Sequence, residues 1–239
     1  MSEVAVPSKA STIIVVRPET TGGFEILMTR RPQDMQVLAG FLVFPGGGVE
    51  EQDWSMKMLS RCRGLSPAEA QGILGGDISP EMSLGHWVAA ARELFEEAGI
   101  HFFVNERGET PQGAQAPLTQ RLAEKRRALS AGRLNFSQLL ESEQLFCDLG
   151  PLTYLFHRVT PAKHTVRFDT RFYLAALPAN QTALACSEEV AESFWITPKA
   201  ALEQSESAKF PMMPPTIIAL RTLAEHESWQ DLSATFRLG

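Results

Sequence analysis

Along the 239-residue chain the apolar positions change period, and each change marks a boundary between elements. Thr12 to Val16 and Phe24 to Arg30 are β-prone runs on either side of Thr20-Thr21-Gly22-Gly23, which predicts a hairpin. Phe41 to Phe44 predicts a short apolar strand, closed by Pro45-Gly46-Gly47-Gly48. Ser66-Pro67 sets a capping hydroxyl before a proline at the first helical position and predicts a short helix over 66–75. The clearest helix spans Leu84 to Ala98. A short strand follows from Ile100 to Val104, then a polar loop to Pro117, a charged helix from Leu118 to Ser130, and a shorter helix from Phe136 to Glu141. Pro151 to Val159 reads as a strand. In 167–174, Phe168, Thr170, Phe172 and Leu174 alternate with Arg167, Asp169, Arg171 and Tyr173, which predicts a strand with one buried face. Phe194 to Ile196 is a further strand, Pro198 to Gln204 a helix start, and Pro215 to His226 the terminal helix. Strands and helices are interspersed without a linker-like gap, so the expectation is one α/β domain over residues 1–239.

The helix from Leu84 carries the first chemical signal. Leu84, Trp87, Val88, Ala91, Leu94, Phe95 and Ala98 form one apolar stripe, and Glu93, Glu96 and Glu97 share the opposite face. A solvated charged face is the bland explanation. Against it, Glu93 repels Glu96 and Glu97 at i+3 and i+4, each pair costing roughly 0.2–0.5 kcal/mol. All three lie in the last turns before Gly99, where the helix dipole disfavours anions by about 0.3–1 kcal/mol. A bound divalent cation reverses these penalties, since hard Mg2+ or Mn2+ prefers carboxylate oxygens. Ala89 and Ala90 on the polar side leave room for another segment to approach.

Charge and cysteine usage narrow the classes of partner. Twenty-two basic against 28 acidic residues give a net charge of −6, which argues against nonspecific nucleic-acid or anionic-membrane binding. An anionic ligand must therefore meet cations placed locally. No run of 18 apolar residues occurs, and the apolar stretch Ile13 to Val16 is too short for a signal-peptide core. Three scattered cysteines, Cys62, Cys147 and Cys186, form no C-x-x-C or Cys/His cluster, so reduced thiols and a cytoplasmic location are expected.

The second chemical signal is Phe44-Pro45-Gly46-Gly47-Gly48-Val49-Glu50-Glu51-Gln52-Asp53. Taken alone it is a tight turn after a strand; functionally, Gly46, Gly47 and Gly48 let the backbone approach a ligand or the acidic helix. Gly47 followed by Asp53, and then Arg92-Glu93-Leu94-Phe95-Glu96-Glu97-Ala98-Gly99-Ile100, resembles the Nudix box, G-x5-E-x7-R-E-U-x-E-E-x-G-U. The second half matches at every defined position. Asp53 replaces a Glu, and 38 residues rather than seven separate it from Arg92, as in long-insert Nudix enzymes related to peroxisomal coenzyme A diphosphatases. Ser187 to Ile196 resembles the family's late acidic loop and strand.

The resemblance implies a Nudix-like α/β/α sandwich with a mixed central sheet and a helical insertion at about 54–84 that leaves Asp53 beside Arg92. It implies hydrolysis of a nucleoside diphosphate linked to another group, with Mg2+ or Mn2+ held by Glu93, Glu96 and Glu97. Arg92 orients these ligands and pairs with Asp53, whose shorter side chain weakens that support. The general base is Glu93, Glu188 or Glu189. The expected partner is a small nucleoside diphosphate derivative rather than a nucleic acid or a membrane, with room left for a homodimer.

Leu27-Met28-Thr29-Arg30-Arg31, Gly40 and Phe44-Pro45-Gly46-Gly47 resemble the coenzyme A signature of Nudix enzymes, with Pro32 and Gln36 as departures. Thr29, Arg31, Gly40 and the terminal turn fall in register; Arg30 and Arg31 are candidate substrate-binding cations, and Lys163, His164, Arg167 and Arg171 are others. Three readings follow: a coenzyme A or acyl-coenzyme A diphosphatase; a hydrolase of ADP-ribose, a nucleotide sugar or a dinucleotide; or a noncatalytic binding module, against which the intact acidic trio stands.

Overall fold

The computed structural model of the protein describes residues 5–35, 38–111, 116–187, 190–206 and 210–238. Strands β1 (Ser8–Pro18) and β2 (Phe24–Arg30) form the expected antiparallel hairpin, with Val16 opposite Ile26. Beyond that point they diverge. Into the gap step β3 (Leu42–Val43), paired with β2, and β4 (Gly46–Gly48), paired with β1 so that Ser11 faces Gly47. The glycine turn is thus a strand, placed where two others separate.

Strands β8 (Thr153–Val159), β9 (Phe168–Ala176) and β10 (Glu192–Ile196) complete a sheet of order β10-β2-β1-β9-β8. Only β1 and β9 run parallel, so the sheet is mixed. Along each central strand alternate residues serve different cores. Ile13, Val15, Leu27, Tyr173 and Ala175 face helix α3 (Pro80–Ala98). Ile14, Val16, Ile26, Met28 and Leu174 face α6 (Pro198–Glu206), α7 (Pro214–Ala224) and α8 (Trp229–Phe236). Helices cover both faces, giving an α/β/α sandwich. The single buried face expected for 167–174 is corrected accordingly: Arg171 to Ala175 are buried on both sides, because β9 lies between β1 and β8 under two helical layers.

Between the halves of the box, a 3-10 turn (Glu51–Trp54), α1 (Met56–Leu59), β5 (Cys62–Arg63) and α2 (Pro67–Leu74) form a folded excursion. Ser66 caps α2 and accepts from Glu69 N, as its sequence requires. Strand β5 joins β7 (Phe146–Asp148) and β6 (Phe103–Val104) in a small second sheet, with Cys62 opposite Cys147 as free thiols. Helices α4 (Ala116–Ser130) and α5 (Phe136–Ser142) lie in the intervening chain.

The acidic helix starts earlier than its apolar stripe. Ser79 accepts from Met82 N, Pro80 occupies the first turn and Gly99 ends the helix with φ 71°, so Pro80 to Leu84 belong to α3 rather than to the excursion. Nearly every side of α3 is buried, its polar side included. Among the described residues no helix is long and apolar enough to cross a membrane.

Candidate active site

Asp53 and Arg92, 39 positions apart, meet in the interior. Arg92 Nε donates to Asp53 Oδ1 at 2.8 Å and Nη2 to Oδ2 at 3.1 Å. Two local devices bring the 3-10 turn this close. Glu50 N donates to Asp53 Oδ2 at 2.9 Å, closing a capping box, and Gly85 of α3 offers no side chain where Trp54 packs. A Cβ on Gly85 would come within 2.8 Å of Trp54 Cβ. A mid-helix glycine costs about 1 kcal/mol relative to alanine, and here it admits the residue next to Asp53. The shorter Asp53 therefore gives full two-point support to Arg92, contrary to the weakening expected from its length.

Arg92 spends its remaining donors on the rest of the box. Nη2 donates to the Gly48 carbonyl at 2.8 Å, and Nη1 donates to Glu93 Oε1 and Glu96 Oε1, both at 2.9 Å. One guanidinium thus ties the excursion, the glycine strand and the acidic helix together. Arg92 and Asp53 are 3% and 0% exposed. Burial opposes the Arg92 charge, but Asp53, Glu93 and Glu96 outweigh it and hold the guanidinium protonated. Burial also pushes the Asp53 carboxyl upward, and the Arg92 charge and hydrogen bonds counter this only in part. With two charge-assisted contacts to a permanent cation, the Asp53 carboxylate is read as ionised at neutral pH.

Glu97 is buried, and Gly46 N donates to its Oε2 at 3.4 Å. Gly47 lies against Glu93, where a Cβ would overlap the carboxylate. Gly47→Ala is therefore expected to lower turnover at least tenfold by displacing Glu93 or β4, a ~1 Å misplacement being able to cost about a hundredfold. Gly72→Ala in α2, where a Cβ meets nothing within 4 Å, serves as the control. Steady-state rates of the two variants at saturating metal check this; equal rates would contradict the Gly47–Glu93 packing.

The other end of α3 has a support that its own sequence lacks. No basic residue occupies its last turn, but Arg126 of α4 donates from Nη1 to the Glu96 carbonyl at 2.7 Å. This places a cation at the negative end of the helix dipole beside the carboxylates. Nothing in the spacing of Arg126 from the box signals that contact. Ser11, His86 and Gly85 were likewise silent in the sequence: Ser11 Oγ and His86 Nδ1 form a buried 3.0 Å hydrogen bond between β1 and α3. Burial and the nearby Arg171 charge push His86 down to about 3, so its imidazole is neutral.

The candidate substrate-binding cations are placed differently. Arg30 continues the Ile26–Met28 side of β2, with its guanidinium 4.4 Å from the Phe210 ring and 3.6 Å from Glu192. It stands on the sheet face away from α3. Period-two alternation decides this, since Leu27 and Thr29 take the α3 side. Arg31 ties the β2–β3 connection through its backbone, accepting from Gly40 N and donating to the Phe41 carbonyl. Arg167 holds the Thr160 and Ala5 carbonyls. Glu188, Glu189 and Gln36 lie outside the described residues.

Hard oxygen donors at i, i+3 and i+4 suit a divalent cation. Asp53, Glu93 and Glu96 set three carboxylates around Arg92, and Gly46 N holds Glu97 beside the glycine strand. Among the described residues no three acidic, His or Cys side chains converge as metal ligands, because Glu93 and Glu96 both turn to Arg92 Nη1. The donor chemistry of Glu93, Glu96 and Glu97 fits such an ion.

A mixed sheet between helical layers, carrying a split box closed by one buried arginine, defines a Nudix fold. The chain belongs to the Nudix hydrolases, in the family described as the NUDT19 Nudix domain, whose profile matches residues 4–223. A crystal structure of a Nudix hydrolase from Alicyclobacillus acidocaldarius superposes with a TM-score of 0.75 at 27% identity, covering 99% of this chain and 100% of that one. Putative nudix hydrolase 7 of Caenorhabditis elegans is 24% identical over 92% of this chain. The acyl-coenzyme A diphosphatases NUDT19 of Xenopus laevis and Homo sapiens are each 26% identical, over 85% and 90% of this chain. The chain spans 60–64% of the length of these three curated relatives.

Proposed function

We propose that this protein hydrolyses the pyrophosphate of coenzyme A or an acyl-coenzyme A, releasing 3′,5′-ADP and a phosphopantetheine product. The observation that carries a hydrolytic reading is the Arg92 junction, which ties the glycine strand, Asp53, Glu93 and Glu96 together, with Glu97 held beside it by Gly46 N. The coenzyme A reading is supported by the names of the NUDT19 relatives and by Thr29, Arg31, Gly40 and the Phe44 to Gly47 turn.

Glu93, Glu96 and Glu97 would hold Mg2+ or Mn2+, which when bound neutralises pyrophosphate charge and acidifies water. The chain's own residues do the remaining work. Arg92 fixes the carboxylates and cannot yield its proton. The Gly46–Gly48 backbone lets an anionic diphosphate approach without side-chain obstruction. Glu93 in the box, or Glu188 or Glu189, accepts the proton of the attacking water. Gln36, in place of the signature's second arginine, removes one of its cations and favours, as second reading, the same hydrolysis with ADP-ribose, a nucleotide sugar or a dinucleotide as substrate. A competition among coenzyme A, dephospho-coenzyme A and ADP-ribose separates the two. Coenzyme A is expected to have the highest kcat/KM, and preference for ADP-ribose over every coenzyme A ester would defeat the first reading alone.

A further inference from the structure

The strand register draws a line across the sheet from the glycine strand. Gly47 faces Ser11 on β1, Ser11 faces Arg171 on β9, and Arg171 faces His157 on β8. Neighbouring strands are about 4.8 Å apart, so the Arg171 backbone stands roughly 10 Å from Gly47. Lys9 and Asp169, facing each other one step away on the same side, flank the line. All share the sheet face on which α3 lies, because Ile13, Val15 and Tyr173 continue their alternation into the α3 core.

Lys9 and Arg171 bring two cations, and Asp169 one carboxylate, to this strip in a chain of net charge −6. Arg171 Nη1 donates to Asp169 Oδ1 at 2.7 Å, and His157 Nε2 shares the same oxygen. Asp169 thereby holds a guanidinium whose side chain is 9% exposed. Lys9 is exposed and makes no ion pair with a described carboxylate. Beside them, His86 is 0% exposed and its Nε2 makes no hydrogen bond of acceptable geometry, although the Ala10 backbone lies close to the ring. Tyr173, two residues beyond Arg171 on the same face, buries an equally unpartnered hydroxyl. A purely structural ion pair explains neither Lys9 nor the polar atoms left without partners. Ser11 and His86 are buried between β1 and α3, so an anion would reach both cations from the Lys9 end, where the Lys9 carbonyl accepts from Val49 N beside the glycine strand, with its pyrophosphate at that strand.

Resting on the coenzyme A reading, we infer that Lys9 and Arg171 form a specificity subsite for a phosphate monoester on the substrate's nucleoside, the group that separates coenzyme A from dephospho-coenzyme A. Asp169 and His157 act as positioning residues through Arg171. Two charge-assisted contacts to a dianion are expected to give at least about tenfold discrimination.

The test is calorimetric binding of adenosine 3′,5′-bisphosphate and of AMP to the full chain, for wild type, Lys9→Ala and Arg171→Lys, beside product masses for coenzyme A. Wild type is expected to bind the bisphosphate about tenfold more tightly than AMP. Each variant should bring that ratio to within about threefold, whereas a merely structural change weakens both ligands alike. Lys9 is exposed, so Lys9→Ala keeps the test open even if Arg171→Lys does not fold. Equal binding of the two nucleotides by wild type, or a ratio unchanged in both variants, overturns the subsite. Absence of coenzyme A cleavage with the binding preference intact would instead overturn the substrate reading and leave the phosphate-reading strip standing.

Discussion

Glu97→Gln is expected to lower turnover at least about a hundredfold at saturating Mg2+ or Mn2+, with the fold retained. The amide keeps the shape and an acceptor oxygen for Gly46 N, but removes a charge from a hard-cation donor set. Glu97 is the cleanest of the trio to test. Glu93 and Glu96 also accept from Arg92 Nη1, so their replacement disturbs the junction as well as the donor set. Removing the Glu97 charge also relieves its i+4 repulsion with Glu93, so the metal-free melting temperature should hold or rise slightly. Circular dichroism melting and steady-state rates check both halves. Near-normal turnover with saturating metal would remove Glu97 from the chemistry.

Arg92→Leu is expected to produce the largest loss of stability. It leaves Asp53, 0% exposed, without its cation, and strips one partner from Glu93, Glu96 and the Gly48 carbonyl. Breaking a buried pair from one side costs about 3–5 kcal/mol. In a chain of this size that is roughly 10 °C in melting temperature, or more. The double variant Arg92→Leu/Asp53→Leu should recover part of the loss, since it removes the stranded carboxylate too. Equal melting temperatures for wild type and Arg92→Leu would show that the Asp53–Arg92 pair does not hold the excursion to α3.

Much of this architecture was legible because local rules agree with the tertiary result. The hairpin of β1 and β2, the capped start of α2 and the Gly99 stop of α3 each follow from residues within one turn. The box could be joined across 38 residues because both halves keep their chemical pattern. Other features required long-range information. Tyr173 and Arg171 looked like an outward face because one strand's sequence does not disclose that helices cover both sides of its sheet. Helix α8 lies beyond the terminal helix expected at Pro215 to His226, although Ser228 caps it and accepts from Asp231 N, a signal spaced like that of α2. Gly85 reads as a flaw in a helix until Trp54 is seen to pack there. Arg30, a candidate substrate-binding cation in the linear sequence, stands on the face away from α3 because its strand parity sends it to Phe210.

Metal-dependent cleavage of a diphosphate is expected at the junction of Arg92, the glycine strand and the acidic trio. Its most direct test is the reaction of coenzyme A with wild type and Glu97→Gln in the presence of Mg2+, Mn2+ or a chelator, with products identified by mass. Wild type is expected to give 3′,5′-ADP and phosphopantetheine with either metal and none with chelator, and Glu97→Gln at least about a hundredfold less. Undiminished cleavage in chelator or by Glu97→Gln, or no diphosphate cleavage by wild type of coenzyme A, ADP-ribose, nucleotide sugars or dinucleotides with either metal, would contradict it.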